Sequence, residues 1–190
     1  LTSQLQHISV GDILILNPKA TGTLILDSLL PGKRLFMFAS GTGIAPFISL
    51  IRDPETYEKF EQIILFHTCR GVKDLNYGKN IIETINKDPL IGEYADKVFY
   101  YPTVTREEFH TKGRITELLK TGKIFQDLQL APINCDTDRA MICGSMGLNK
   151  DIKEFLEILR LKEGARNRPA EFVLEKAFVG LNPIGLGLSV

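Results

Sequence analysis

The sequence predicts an α/β fold: a five-stranded parallel sheet with helices on both faces. Three observations carry this expectation. From Lys33 onward, strand-like apolar runs alternate with helical stretches, the pattern of a sheet covered by crossover helices. The chain has 190 residues with 44% hydrophobic and 24% charged, enough for one domain, or one domain and part of a second. Small-residue turns follow two of the apolar runs, where open parallel sheets bind ligands.

Residues 1–33 read as a separate, smaller piece. Thr2 and Ser3 are good N-cap types for a short helix carrying Leu5 and Ile8 on one face. Val10-Gly11-Asp12 turns the chain into Ile13-Leu14-Ile15-Leu16, and a loop through Asn17-Pro18 allows Thr23–Leu26 to return as the second strand of a hairpin. Two strands and one helical turn cannot close a core, so this piece must lean on something else. The expected strands of the main domain are Arg34–Ala39, Gln62–Thr68, Lys97–Tyr101, Arg139–Cys143 and Glu171–Leu174. Between them, Pro46–Phe60, Leu75–Lys87, Ile115–Leu119 and Leu148–Leu159 favour helix. The last carries Ile152, Phe155, Leu156 and Leu159 at helical spacing.

Composition excludes several function classes. Lys+Arg and Asp+Glu each number 23, for zero formal net charge, so nothing points to nucleic acid or to an anionic membrane surface. Any anion site must come from a few placed cations. The three cysteines, Cys69, Cys135 and Cys143, form no CxxC pair, which argues against a disulfide framework and against a metal site and fits a reducing, cytoplasmic compartment. No apolar run reaches the ~20 residues needed to span a bilayer, and no secretory signal opens the chain. The start at Leu1, in mid-pattern, is expected of a truncated or processed product.

Three motifs carry chemistry. Ser40-Gly41-Thr42-Gly43-Ile44-Ala45-Pro46 follows the first strand and precedes a helix; its small residues let backbone approach a phosphate, and the helix start offers free N–H groups. The pattern is GxGxxP, not the usual GxGxxG dinucleotide fingerprint, and a plain strand-to-helix turn would look the same. Cys143-Gly144-Ser145 ends another apolar run, so two glycine-containing strand ends can face one another. A lone cysteine there reads as a small hydrophobe before it reads as a nucleophile. Arg70 and Arg106 follow strands and Arg114 opens a helix; on one rim, such arginines would grip a phosphate monoester. Singly, each reads as a solvated surface residue, and His67 as a satisfied strand residue with no assigned role.

Taken in order, Leu1-Thr2-Ser3-Gln4-Leu5, Gly41–Pro46, His67-Thr68-Cys69-Arg70, Tyr101–Glu107, Gly113-Arg114-Ile115, Cys143-Gly144-Ser145 and Glu175–Gly180 resemble the bacterial branch of the plant-type ferredoxin–NADP(+) reductases. The resemblance runs from Leu1 to about Gly180. It implies an NADP(H)-binding domain over residues 34–180 with a C-terminal segment that contacts FAD, after a remnant of the antiparallel FAD-binding barrel over 1–33. Residues 181–190 extend past the usual bacterial ending as a tail without an assigned role. Gly41, Thr42 and Gly43 would lie along the pyrophosphate and nicotinamide path. Arg70, Arg106 and Arg114 match the cations that hold the adenosine 2′-phosphate. Cys143, Gly144 and Ser145 would line the nicotinamide pocket, with Cys143 and Glu175 shaping the hydride-transfer site. Thr2 and Ser3 match the helix start under the FAD pyrophosphate, and Ala177 and Phe178 the segment meeting the flavin.

The flavin domain's Arg-x-Tyr-Ser-type motif is nowhere in the chain. The implied activity is FAD-mediated electron transfer between NADP(H) and ferredoxin or flavodoxin, by a cytoplasmic monomer. The alternative is a non-catalytic fragment that holds NADP(H) without FAD.

Overall fold

A computed structural model describes residues 7–15 and 22–176. Its frame is a five-stranded sheet, every neighbouring pair parallel, in the order β3-β2-β1-β4-β5. The strands are β1 (Arg34–Ser40), β2 (Gln62–Cys69), β3 (Val98–Val104), β4 (Asp138–Gly144) and β5 (Phe172–Lys176). Burial on both faces explains the continuous apolar runs: Leu35, Phe36, Met37, Phe38 and Ala39 are all at or below 1% exposure.

Successive side chains of each strand point to opposite faces and build two cores. One face packs Leu35, Met37, Ile63, Leu65 and Met141 against α1 (Ala45–Ile51), α2 (Pro54–Lys59) and the partly buried Ile81 and Ile82 of α3 (Asn76–Thr84). The other packs Phe36, Phe38, Ile64, Phe66 and Ile142 against α4 (Ile115–Lys120), α5 (Lys123–Leu128) and α6 (Met146–Ile158). The first two crossovers therefore lie on one face, and the chain then returns across the sheet to lay the last two on the other. The strand order reverses between β1 and β4, which leaves a crevice beyond their carboxyl ends.

The five strands and four helical regions expected from the sequence are present, with differences that have local causes. The stretch 46–60 is two helices, because Asp53 caps the second through its carboxylate on Glu55 N–H (3.0 Å) and Pro54 enters at the first turn. Strand β3 runs through Pro102 to Val104, which an edge strand tolerates since its proline N needs no ladder partner. Helix α5 was not expected from the sequence. The hairpin expected in 13–26 is replaced in the part described: Ile13, Leu14 and Ile15 are unpaired and exposed, and Thr23–Leu26 leads irregularly into a 3-10 turn, Leu26–Ser28. Leu24, Leu26 and Leu29 are instead buried in the core beside Val173. The loop of that hairpin and the expected helix at Thr2 and Ser3 lie outside the described residues.

Candidate functional site

The carboxyl ends of β1 and β4 are held unusually close. A Cβ on Gly43 would stand 2.1 Å from the Cys143 carbonyl oxygen, and one on Gly144 would stand 2.3 Å from Ser40 Oγ. Any side chain at Gly43 would meet main chain, which cannot swing aside. Ser145 N–H donates to Ser40 Oγ (2.9 Å), closing the junction from above. Gly41 has φ +52° with open space where a Cβ would be, so its glycine is required by conformation and not by crowding.

Above this junction lies a cleft of about 1090 Å³. Of the residues singled out in the sequence, Gly41, Thr42, Arg70, Arg106, Arg114 and Ser145 line it together. The three arginines are exposed, and no carboxylate pairs with them among the described residues. Backbone pairing brings two of them to one rim. Past the strand ends, Thr105 N–H donates to Cys69 O (3.0 Å) and Arg106 N–H to Arg70 O (3.1 Å), while Glu107 accepts from Val72 N–H (2.8 Å). Gly113 N–H donates to Val104 O (2.9 Å), which folds Arg114 back beside the end of β3 as the residue preceding α4.

Gly43 and Gly144 do not line the cleft; they set how closely its two sides meet. Ser145 lines it while its hydroxyl caps α6, accepting from Leu148 N–H at 3.2 Å. Cys143 and Glu175 lie to the side of the cleft, as register partners on β4 and β5. The Glu175 carboxylate is half-buried and accepts from Thr23 N–H (3.3 Å), and Thr23 Oγ1 donates to Leu174 O (3.0 Å). Ala177 and Phe178 lie outside the described residues.

Two of the three cysteines, Cys69 and Cys143, are chemically quiet. Burial pushes the Cys143 thiol up to about 11, with the Glu175 charge adding to it, and burial likewise pushes Cys69 up to about 11. Both are neutral thiols at physiological pH, so neither is poised as a nucleophile. We expect Cys135, which is partly exposed, to react first with iodoacetamide at pH 8, and Cys69 and Cys143 only in denaturant. Mass spectrometry of the labelled chain checks this; rapid labelling of folded Cys143 would contradict it.

Sequence reasoning passed over several lining residues. Tyr77, half-exposed at the start of α3, and Thr105, Thr116, Asp74 and Asp151 also face the cleft. An aromatic ring on the polar side of a helix was the available signal for Tyr77. His67, which the sequence reads as a satisfied strand residue, is fully buried with partners on both ring nitrogens.

Residues 37–154 match the family described as oxidoreductase NAD-binding domain. Over 181 residues the chain is 59% identical to a flavodoxin/ferredoxin–NADP reductase of Rhodobacter capsulatus, covering 95% of this chain and 67% of that protein. It is 49% identical over 181 residues to a ferredoxin–NADP reductase of Azotobacter vinelandii, covering 94% and 70%. The chain thus spans about two thirds of the length of these relatives. Among solved structures, a ferredoxin NADP+ reductase from Neisseria gonorrhoeae with bound FAD and NADP superposes with a TM-score of 0.78 at 26% identity, over 93% of this chain and 69% of that one.

Proposed function

Since the chain belongs to the oxidoreductase NAD-binding domain family and, within it, to the ferredoxin/flavodoxin–NADP reductases, we propose that it binds NADP(H) in the cleft above β1 and β4. We propose further that it serves FAD-mediated electron transfer between NADP(H) and ferredoxin or flavodoxin. The observation that carries this reading is the cleft itself. A glycine turn at the strand-order reversal and three arginines free of described carboxylates share one lining. Such a lining suits a dinucleotide with a phosphate monoester at one end.

In this reading Gly41 and Thr42 meet the pyrophosphate and Arg70, Arg106 and Arg114 hold the 2′-phosphate. Gly43, Gly144 and Ser145 fix the spacing at which the nicotinamide enters. FAD, when bound, supplies the coupling of hydride exchange to single-electron exchange. The residues on its side of the site fit that role: the buried Cys143 thiol stays neutral, and the Glu175 carboxylate is held by Thr23, so neither competes for a covalent bond. Thr2, Ser3, Ala177 and Phe178 remain assigned to FAD by resemblance. The domain division at residue 33, the cytoplasmic setting and the monomeric state belong to the same proposal. Among the described residues, no helix is long and apolar enough to cross a membrane.

One observation favours the alternative of an NADP(H)-holding chain without turnover. Val10, Ile13 and Ile15 are almost fully exposed, so this early part of the flavin-side piece is not packed by the described residues. A visible spectrum after adding FAD and removing the excess, followed by NADP+ and NAD+ titrations, decides between the readings. Retained flavin absorbance with NADPH-dependent reduction of ferredoxin or flavodoxin is the result expected of the reductase. A colourless chain that still prefers NADP+ establishes the alternative, and a chain that binds neither nucleotide overturns both.

A further inference from the structure

We infer that His67 is a positioning residue that sets the direction of the Gly41–Thr42 peptide in the cleft lining, an inference that rests on the NADP(H) reading of that cleft. His67 sits in β2, between β1 and β3, and is 0% exposed. Its Nε2 is 3.0 Å from the Gly41 carbonyl oxygen and its Nδ1 is 3.0 Å from Tyr100 Oη. A carbonyl can only accept, so Nε2 carries the hydrogen and donates it to Gly41 O. Nδ1 is then the acceptor, and the Tyr100 hydroxyl donates to it. Burial supports both assignments, holding the imidazole below its usual value and therefore neutral, and the Tyr100 phenol well above its usual value and therefore protonated. Cys69 Sγ, 3.2 Å from Nε2, completes the ring's surroundings.

The consequence for the cleft follows from peptide geometry. In a trans peptide the carbonyl of one residue and the N–H of the next point in opposite directions, and no cis peptide occurs among the described residues. With the Gly41 carbonyl drawn inward to His67, the Thr42 N–H is turned the other way, toward the cleft that both residues line. Gly41 needs such an anchor because glycine, here at φ +52°, has little conformational preference of its own. Helix α3 seals the arrangement. A Cβ on Gly78 would stand 3.2 Å from both His67 Nδ1 and Tyr100 Oη, so the helix lies directly over the pair.

The test compares the unchanged chain with His67→Leu and His67→Gln. Glutamine carries an amide nitrogen at the reach of Nε2 and can donate to Gly41 O; leucine cannot. We expect the NADP+ dissociation constant to rise about tenfold in His67→Leu, the scale of losing one hydrogen bond from Thr42 N–H to a charged phosphate, and to return to within about threefold in His67→Gln. Both substitutions should lower the thermal midpoint, so loss of stability alone would not separate them. Nitrogen-15 NMR of the unchanged chain should find the ring hydrogen on Nε2. Equal binding by all three chains, equal loss in both variants, or a hydrogen on Nδ1 overturns the inference. The Thr42 amide resonance, followed without nucleotide, tests the positioning by itself: it should move in His67→Leu and hold in His67→Gln. That behaviour in a chain that does not bind NADP+ would sink the cleft reading while upholding the role of His67.

Discussion

Replacing Arg70 and Arg106 together by alanine is expected to weaken NADP+ binding by about a hundredfold while moving NAD+ binding by no more than about threefold. A charge-assisted hydrogen bond to a phosphate contributes about 1.5–3 kcal/mol. Both side chains are exposed in the free chain, so the low end applies to each, giving about 3 kcal/mol for the pair. The two act on one rim because the β2–β3 ladder continues past the strand ends, with Arg106 N–H on Arg70 O at 3.1 Å. Zero formal net charge leaves no bulk field to compensate for their loss. Lysine at either position should fall between arginine and alanine, since it keeps the charge and loses the planar fork. The same titrations at rising ionic strength should erode the preference in the unchanged chain and leave the double variant almost unaffected. Equal loss for both nucleotides would show that the arginines hold the fold of the rim and not the 2′-phosphate.

The parts of this molecule that were legible in the sequence are those fixed by local pattern. Strands buried on both faces carry near-continuous apolar runs, so β1, β2 and β4 announce themselves. Helix α6 repeats its apolar residues at helical spacing. Helix α5 is six residues between Gly122 and Gln129, both left-handed, too short for a period to show. Thr23–Leu26 reads as a strand because Leu24 and Leu26 are real burial sites, yet they are buried by the main domain and not by a hairpin partner. The site divides in the same way. Glycines and arginines at strand ends are visible as chemistry, and Gly41, Thr42, Arg70, Arg106, Arg114 and Ser145 do meet in one cleft. What stayed hidden depends on which strands are neighbours. The contact of Gly43 with Cys143 needs β1 beside β4, and the reach of His67 to Gly41 and Tyr100 needs β2 between β1 and β3. No local spacing encodes that order.

Asp138→Ala is expected to cost the largest share of stability, about 3–5 kcal/mol, against the roughly 5–15 kcal/mol that holds a domain of ordinary size. Asp138 is fully buried and accepts from Arg34 Nε (2.8 Å) and Nη2 (2.5 Å), as well as from Asn134 N–H (2.7 Å). The two residues are register partners at the first rung of β1 and β4. Alanine would leave the Arg34 guanidinium, only 13% exposed, with carbonyl partners at Ala131 and Pro132 but no anion. The penalty is that of an uncompensated buried charge, so removing both partners should be gentler than removing one. Urea unfolding of Asp138→Ala, Arg34→Leu and the Arg34→Leu/Asp138→Leu double variant measures the difference, and a double variant at least as unstable as Asp138→Ala would refute the buried-charge account. The pair stands at the opposite end of the strands from Gly43 and Gly144, so folded Asp138→Ala should bind NADP+ as the unchanged chain does. Weakened binding would mean instead that the first rung sets how closely β1 and β4 meet at the cleft, making strand register, and not the glycine junction, the element that shapes the site.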